Sequence, residues 1–169
     1  WISCRLDWKG IRRQGMSPGR YTELFFLDEA TALSAGHRPC NDCRREALTL
    51  FREAFAKGQA SLGRQVRLTS QVDDILHAER LNGDGSKRRH QAPIQDLPSG
   101  VMFEMHGQLW LVQAGKCLRW TPGGYDLVAD LPSSGDVTVL TPPSTCLALS
   151  QGYRFEPHPS VSGLIPASG

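Results

Sequence analysis

No stretch of this 169-residue sequence approaches the roughly 18 consecutive apolar residues that a membrane-spanning helix needs. The most apolar early run, LFFLDEATAL, is broken by two acids and a threonine, so a membrane partner is not expected. The chain also lacks a basic, then apolar, then small-residue leader and any lipidation motif, which points to the cytoplasm. It opens on Trp1 rather than Met, and the natural chain is expected to begin upstream. Excess charge of one sign is missing: 19 Lys or Arg face 17 Asp or Glu, and the pI near 8.4 stays below the value of about 9 that marks a strongly basic nucleic-acid binder. Cysteine is sparse and odd in number, with five at positions 4, 40, 43, 117 and 146. That pattern excludes a secreted disulfide scaffold and fits a reducing compartment, and a chain of this length can bury a core without such staples. There is no internal repeat.

What charge there is gathers at the front. Residues 1–57 carry 10 basic against 7 acidic side chains, and residues 58–169 carry 9 against 10. The first third is therefore the better face for an anionic partner, with the usual alternative of a solvated surface. Two alternating runs, WISCRLDW and YTELFFL, read as strands on either side of the basic loop KGIRRQGMSPGR. Asp28 then offers a helix N-cap for EATALSA, Gly36 supplies a left-handed stop, and Pro39 forbids continuation.

Directly after this stop comes AGHRPCNDCRRE, residues 35–46. Thiols spaced Cys-x-x-Cys can turn two sulfurs toward one ion, which supplies half a tetrahedral zinc site. Asn41 or Asp42 is expected to cap a second helix, with Ala47, Leu48, Phe51, Ala54 and Phe55 on one face and an end near Gly58. Cys43 would then lie in its first turn, where unpaired amides and the helix dipole favour a thiolate. Cys4 lies in the opening strand and offers a further thiol. His37 is the nearest imidazole and the candidate fourth ligand, with His77, Cys117, an upstream residue or a water as alternatives. The competing reading of Cys43 is a small buried side chain.

A third helix is expected over SQVDDILHAERLNG, capped by Ser70 with Asp73 and ending at Gly83. NGDGSKRRHQAP reads as a basic loop. Beyond Val101 the runs VMFEMHG, QLWLVQAG, KCLRWTPGGY, DVTVL and TCLALS are strand-like, with HGQ, AGK and PGG as tight turns. EPHPSVSGLIPASG has little to bury and reads as a disordered tail. The expected fold is thus α+β: a small N-terminal zinc-knuckle module over residues 1–62, a helix and basic loop over 63–100, a β-rich antiparallel sheet or small barrel over 101–156, and a tail over 157–169. Cys117 and Cys146 are expected as buried thiols.

The run ELFFLDEATALSAGHRPCNDCRRE, residues 23–46, resembles the second half of the metal-binding domain of the Ada-type bacterial adaptive-response DNA methyltransferases. Phe25 and Phe26 stand for a short strand, Glu29 to Ala35 for an Ala-rich helix, and Gly36, Arg38, Pro39, Cys40 and Cys43 for the knuckle. The resemblance covers about a seventh of the chain. It implies a zinc ion held by four cysteines, the earlier two spaced Cys-x-x-x-Cys, one of which accepts a methyl group from a DNA phosphotriester. Here Cys4 stands upstream as the third sulfur ligand that the resemblance implies, and position 8 is Trp8, so the pattern is incomplete and fits a zinc fold better than a methyl-transfer site.

The resulting expectation is a zinc-binding protein with a structural metal, linked to DNA repair or regulation, that needs no reaction of its own. DNA contact would fall to Arg38, Arg44 and Arg45 beside the knuckle and to Arg12, Arg13 and Arg20 in the basic loop. The alternatives are an enzyme, either methyl-phosphotriester repair on Cys4 or a zinc-dependent hydrolase or nuclease, and a protein-interaction module stapled by zinc.

Overall fold

A computed structural model describes residues 1–6, 8–10, 18–19 and 26–165. Strand β1 (Ile2–Ser3) runs parallel to β2 (Arg38–Pro39). Between them in sequence lies helix α1 (Glu29–Ser34), capped as its composition predicts: Asp28 accepts from the Thr31 amide at 2.9 Å, and Thr31 Oγ1 accepts from the Asp28 amide at 3.0 Å. Gly36, at φ +77°, turns the chain back. The expected run YTELFFL falls almost wholly outside the described residues, as do Phe25, Arg12, Arg13 and Arg20.

Helix α2 (Arg45–Ser61) buries Leu48, Phe51, Ala54 and Phe55 of the predicted face, leaves Ala47 half-buried and runs past Gly58. It starts later than its polar residues suggest. Asn41 and Asp42 sit in the turn, and Arg44 occupies the cap with no side-chain capping bond. Cys43 therefore precedes the helix instead of opening it. Helix α3 (Thr69–Arg80) also departs from expectation at its start. The Gln71 carboxamide oxygen accepts the amides of Arg67 and Leu68, each at 2.9 Å, a cap made by the residue reaching backward rather than by Ser70.

Six strands form one antiparallel sheet in the order β3 (His90–Pro93), β8 (Asp136–Val139), β4 (Met102–Met105), β5 (Gln108–Gln113), β6 (Lys116–Thr121) and β7 (Gly124–Asp130). The sheet is open, not a barrel. The turns read as HGQ and AGK are two-residue connections with positive φ at both positions, His106–Gly107 and Ala114–Gly115, which matches the right-handed twist of the strands they join. Two expectations fail. His90–Pro93, read as loop, pairs with β8. TCLALS, read as strand, lies in helix α4 (Pro143–Ser150): Pro143 presets the helical φ at the first position, and a short, uniformly apolar run carries no period that distinguishes strand from buried helix.

The sheet is covered on both faces. Phe103, Trp110, Val112 and Cys117 join Phe51 and Phe55 of α2, Val72 and Leu76 of α3, and Ala148 and Leu149 of α4 in the larger core. Met102, Leu111, Leu118 and Tyr125 point the other way, where Ala30 of α1 and Val161 pack. Val161 ends a 3-10 turn over Pro159–Val161 and is buried, so residues 157–165, expected to be disordered, in part cover the second face. Helix α1 is fastened at its start: Tyr125 of β7 donates its hydroxyl to Asp28 at 2.9 Å, and Tyr153, in the segment after α4, donates to Glu29.

Candidate metal centre

The register of β1 on β2 builds the site. Ile2 pairs with Arg38 and Ser3 with Pro39, and the Cys40 amide donates to the Ser3 carbonyl at 3.1 Å. Cys4 and Cys40 are the next residues along two paired strands, so the pairing brings their side chains together from 36 positions apart in sequence. Cys43 arrives from the turn that follows. The three Sγ atoms lie within 4.8 Å of one another, compatible with three corners of a tetrahedron whose edge is about 3.8 Å for metal–sulfur bonds of about 2.3 Å.

Backbone amides turn toward these sulfurs. Arg5 N–H donates to Cys43 Sγ at 3.3 Å, and Asp42 N–H donates to Cys40 Sγ at 3.4 Å. Such donors stabilise negative charge on sulfur. At Cys40 burial opposes ionisation, but hydrogen bonds from the backbone of Cys43 and Asp42 and from the thiols of Cys4 and Cys43 together outweigh it, and the thiol sits below its ordinary value. At Cys4 burial, reinforced by the sulfurs of Cys40 and Cys43, pushes the thiol up to about 12. Three sulfurs this close repel one another as thiolates. A divalent cation between them removes that repulsion, so the donor set fits a metal ion.

His37 does not join the group. Its buried ring lies against Trp1, edge-on at 5.2 Å between centroids, and against Phe26 at 4.8 Å. Neither ring nitrogen has a hydrogen-bond partner among the described residues. The expectation of His37 as fourth ligand is corrected on this point: the strand β2 that starts one residue later sends its side chain into an aromatic pocket. Among the described residues, the ligand group stops at three sulfurs.

The arginines divide. Arg38 is buried and grips Asp73 with both Nε and Nη2, at 2.7 and 2.8 Å, while Nη1 donates to the Pro39 carbonyl at 3.1 Å. Arg44 pairs with Glu29 and donates to Ser3 Oγ at 3.0 Å. Both tie the knuckle to its neighbours. Arg45 is exposed, with one marginal contact at 3.5 Å to the Asn41 carbonyl.

Cys4, the half-exposed member of the trio, lines a cavity of about 650 Å³ that also takes in Arg5, Glu29, Arg44, Glu156 and His158. A second cavity of about 440 Å³ lies on the Cys43 side and shares Arg5, Glu29, Arg44 and Glu156 with the first. The contribution of residues 156–159 has no signal in sequence, because it depends on the chain returning across the sheet. Cys117 and Cys146 belong to the core instead, and burial pushes them up to about 11 and about 12.

The chain matches no family of known proteins, no curated protein and no solved structure. No helix among the described residues is long and apolar enough to cross a membrane.

Proposed function

We propose that the chain is a zinc-binding protein whose ion is held by Cys4, Cys40 and Cys43 and serves a structural role, pinning the opening strand to the turn ahead of α2. The observation that carries this reading is the meeting of three sulfurs from two distant segments with backbone N–H groups aimed at two of them. All-sulfur donors at tetrahedral spacing favour zinc over calcium or magnesium, which take oxygen. Purified chain should carry about one zinc, and Cys40→Ser should release it. Retention of native stability and spectra by Cys40→Ser without metal contradicts the proposal.

The resemblance to the Ada type extends the reading to DNA contact in repair or regulation. Support on the surface comes from Arg45, which stands exposed at the head of α2 where helix amides add to its charge; Arg38 and Arg44 are engaged with carboxylates. Retardation of duplex DNA that weakens in Arg45→Ala and falls steeply with salt supports this extension, and absence of retardation at low salt discards it.

A second reading, an enzyme, is favoured by one observation: Cys4 faces a cavity large enough for a small molecule. A zinc-bound thiolate that remains accessible is a nucleophile toward alkyl groups, whereas an enclosed one only holds the fold. Incubation with methyl-phosphotriester DNA followed by mass spectrometry separates the two, since only the repair enzyme gains a methyl on Cys4.

A further inference from the structure

We propose that hydrogen peroxide joins Cys4 to Cys40 in a disulfide, and that this bond holds β1 on β2 without a metal. The inference concerns the oxidised chain and so goes beyond the zinc reading, which concerns the reduced one.

The strand register carries it. Ile2 pairs with Arg38 and Ser3 with Pro39, and the Cys40 amide donates to the Ser3 carbonyl at 3.1 Å, so Cys4 stands opposite Cys40 at the next step. Paired strands lie about 4.8 Å apart, inside the window of about 4.4–6.8 Å between α-carbons that a disulfide bridges. The two sulfurs already lie within 4.8 Å of each other. Side-chain rotation closes the remaining distance, and the pairing of β1 with β2 is kept. Of the clustered thiols, Cys40 and Cys43 are 6% and 5% exposed whereas Cys4 is half-buried, so a small oxidant reaches Cys4 first.

The competing bond runs from Cys40 to Cys43. It would close only the turn ahead of α2 and leave β1 unlinked. A bond between Cys4 and Cys40 spans 36 positions, and closing the longer loop removes more freedom from the unfolded chain. Exchange among the three thiols therefore settles on the cross-strand pair.

The chemistry balances with one peroxide. The Cys4 sulfur attacks a peroxide oxygen, the O–O bond breaks, and the other oxygen leaves as water, which gives a sulfenic acid. The Cys40 sulfur then displaces the hydroxyl group as a second water. The sulfurs give up two electrons, the peroxide oxygens take them, and the thiol protons end on water. An ion held by the cluster loses two of its three sulfur donors and is released.

The test treats the full chain with hydrogen peroxide, blocks the remaining thiols, maps linked peptides by mass spectrometry and reads amide exchange on the metal-free product. A Cys4–Cys40 bond that dithiothreitol reverses is expected, with Cys117 and Cys146 still reduced. Cys43→Ser, which removes the competing thiol, should form the same bond. Protection of the Arg38 and Cys40 amides in the oxidised, metal-free chain should exceed that of the reduced, chelated chain by about tenfold or more. A Cys40–Cys43 bond, sulfinic acid at Cys4, or protection no higher than in the reduced, chelated chain overturns this inference and leaves the zinc reading standing. A Cys4–Cys40 bond with that protection, in a chain that binds no zinc when reduced, upholds it and removes the zinc reading.

Discussion

His37 shows how a residue chosen for its chemistry can be put to structural use. Burial, with the positive charges of Arg80 and Lys87 around it, lowers its imidazole to about 4. The folded state thus refuses a proton that the unfolded chain accepts at about 6.5. Between these values the unfolded state holds more protons, so stability is fully present above pH 6.5, falls as pH drops toward 4, and loses no more below that on this residue's account. The total amounts to roughly 3 kcal/mol. His37→Phe should remove that slope while fitting the same aromatic pocket; urea unfolding at a series of pH values, with an unchanged slope in the variant, would refute this assignment. Arg38 makes a comparable case. Its two-point grip on Asp73 is partly buried, the Asp73 side chain being 33% exposed, so Arg38→Ala should cost about 2 kcal/mol rather than the 3–5 of a fully buried pair. An Arg38→Ala/Asp73→Ala cycle with no coupling would contradict it. Both residues were legible as polar groups beside a knuckle. Their roles were not, because ring packing and an ion pair 35 positions apart leave no local pattern.

At the scale of elements, the pieces that the sequence spells locally are the ones found. The Asp28 cap, the Gly36 stop, the apolar face of α2 and the two-residue hairpins each depend on residues within a turn of one another. Errors cluster where the deciding partner is remote or the pattern lacks a period. The edge strand β3 is recruited by β8 from 47 positions away, and α4 has an apolar run that fits either state. Gly36 bears a testable load: at φ +77° a side chain is strained, and an added Cβ would lie 2.8 Å from Arg80 Cδ. Gly36→Ala should therefore lower stability by about 2 kcal/mol or more. Thermal denaturation within a degree of wild type would show that the turn tolerates a different path.

For the molecule as a whole, the antiparallel sheet is the stable body on which a small head with three clustered cysteines is built. Side chains from α2, α3 and α4 share one core with the sheet, and α1 is tied to it through the bond from Tyr125 to Asp28. Strand β1, only two residues long, is held among the described residues by its pairing with β2, by the Arg44 bond to Ser3 Oγ and by the cysteine cluster that follows it. Metal removal should act locally: a chelator should lower amide protection at Arg38 and Cys40, which donate to the Trp1 and Ser3 carbonyls, while β5 and β6 keep theirs. Equal loss throughout the sheet would mean that the ion stabilises the fold globally. The sequence made the α+β class and the two-cysteine knuckle readable. The third sulfur was a candidate only through the family resemblance, and the β1–β2 register explains why it lies beside the other two.

X-ray absorption at the zinc edge of the purified chain tests the shared ion most directly. The account predicts three sulfur neighbours at about 2.3 Å, reduced to two in Cys4→Ser. A chain that retains no zinc, or whose zinc has fewer than three sulfurs in the wild type, contradicts it.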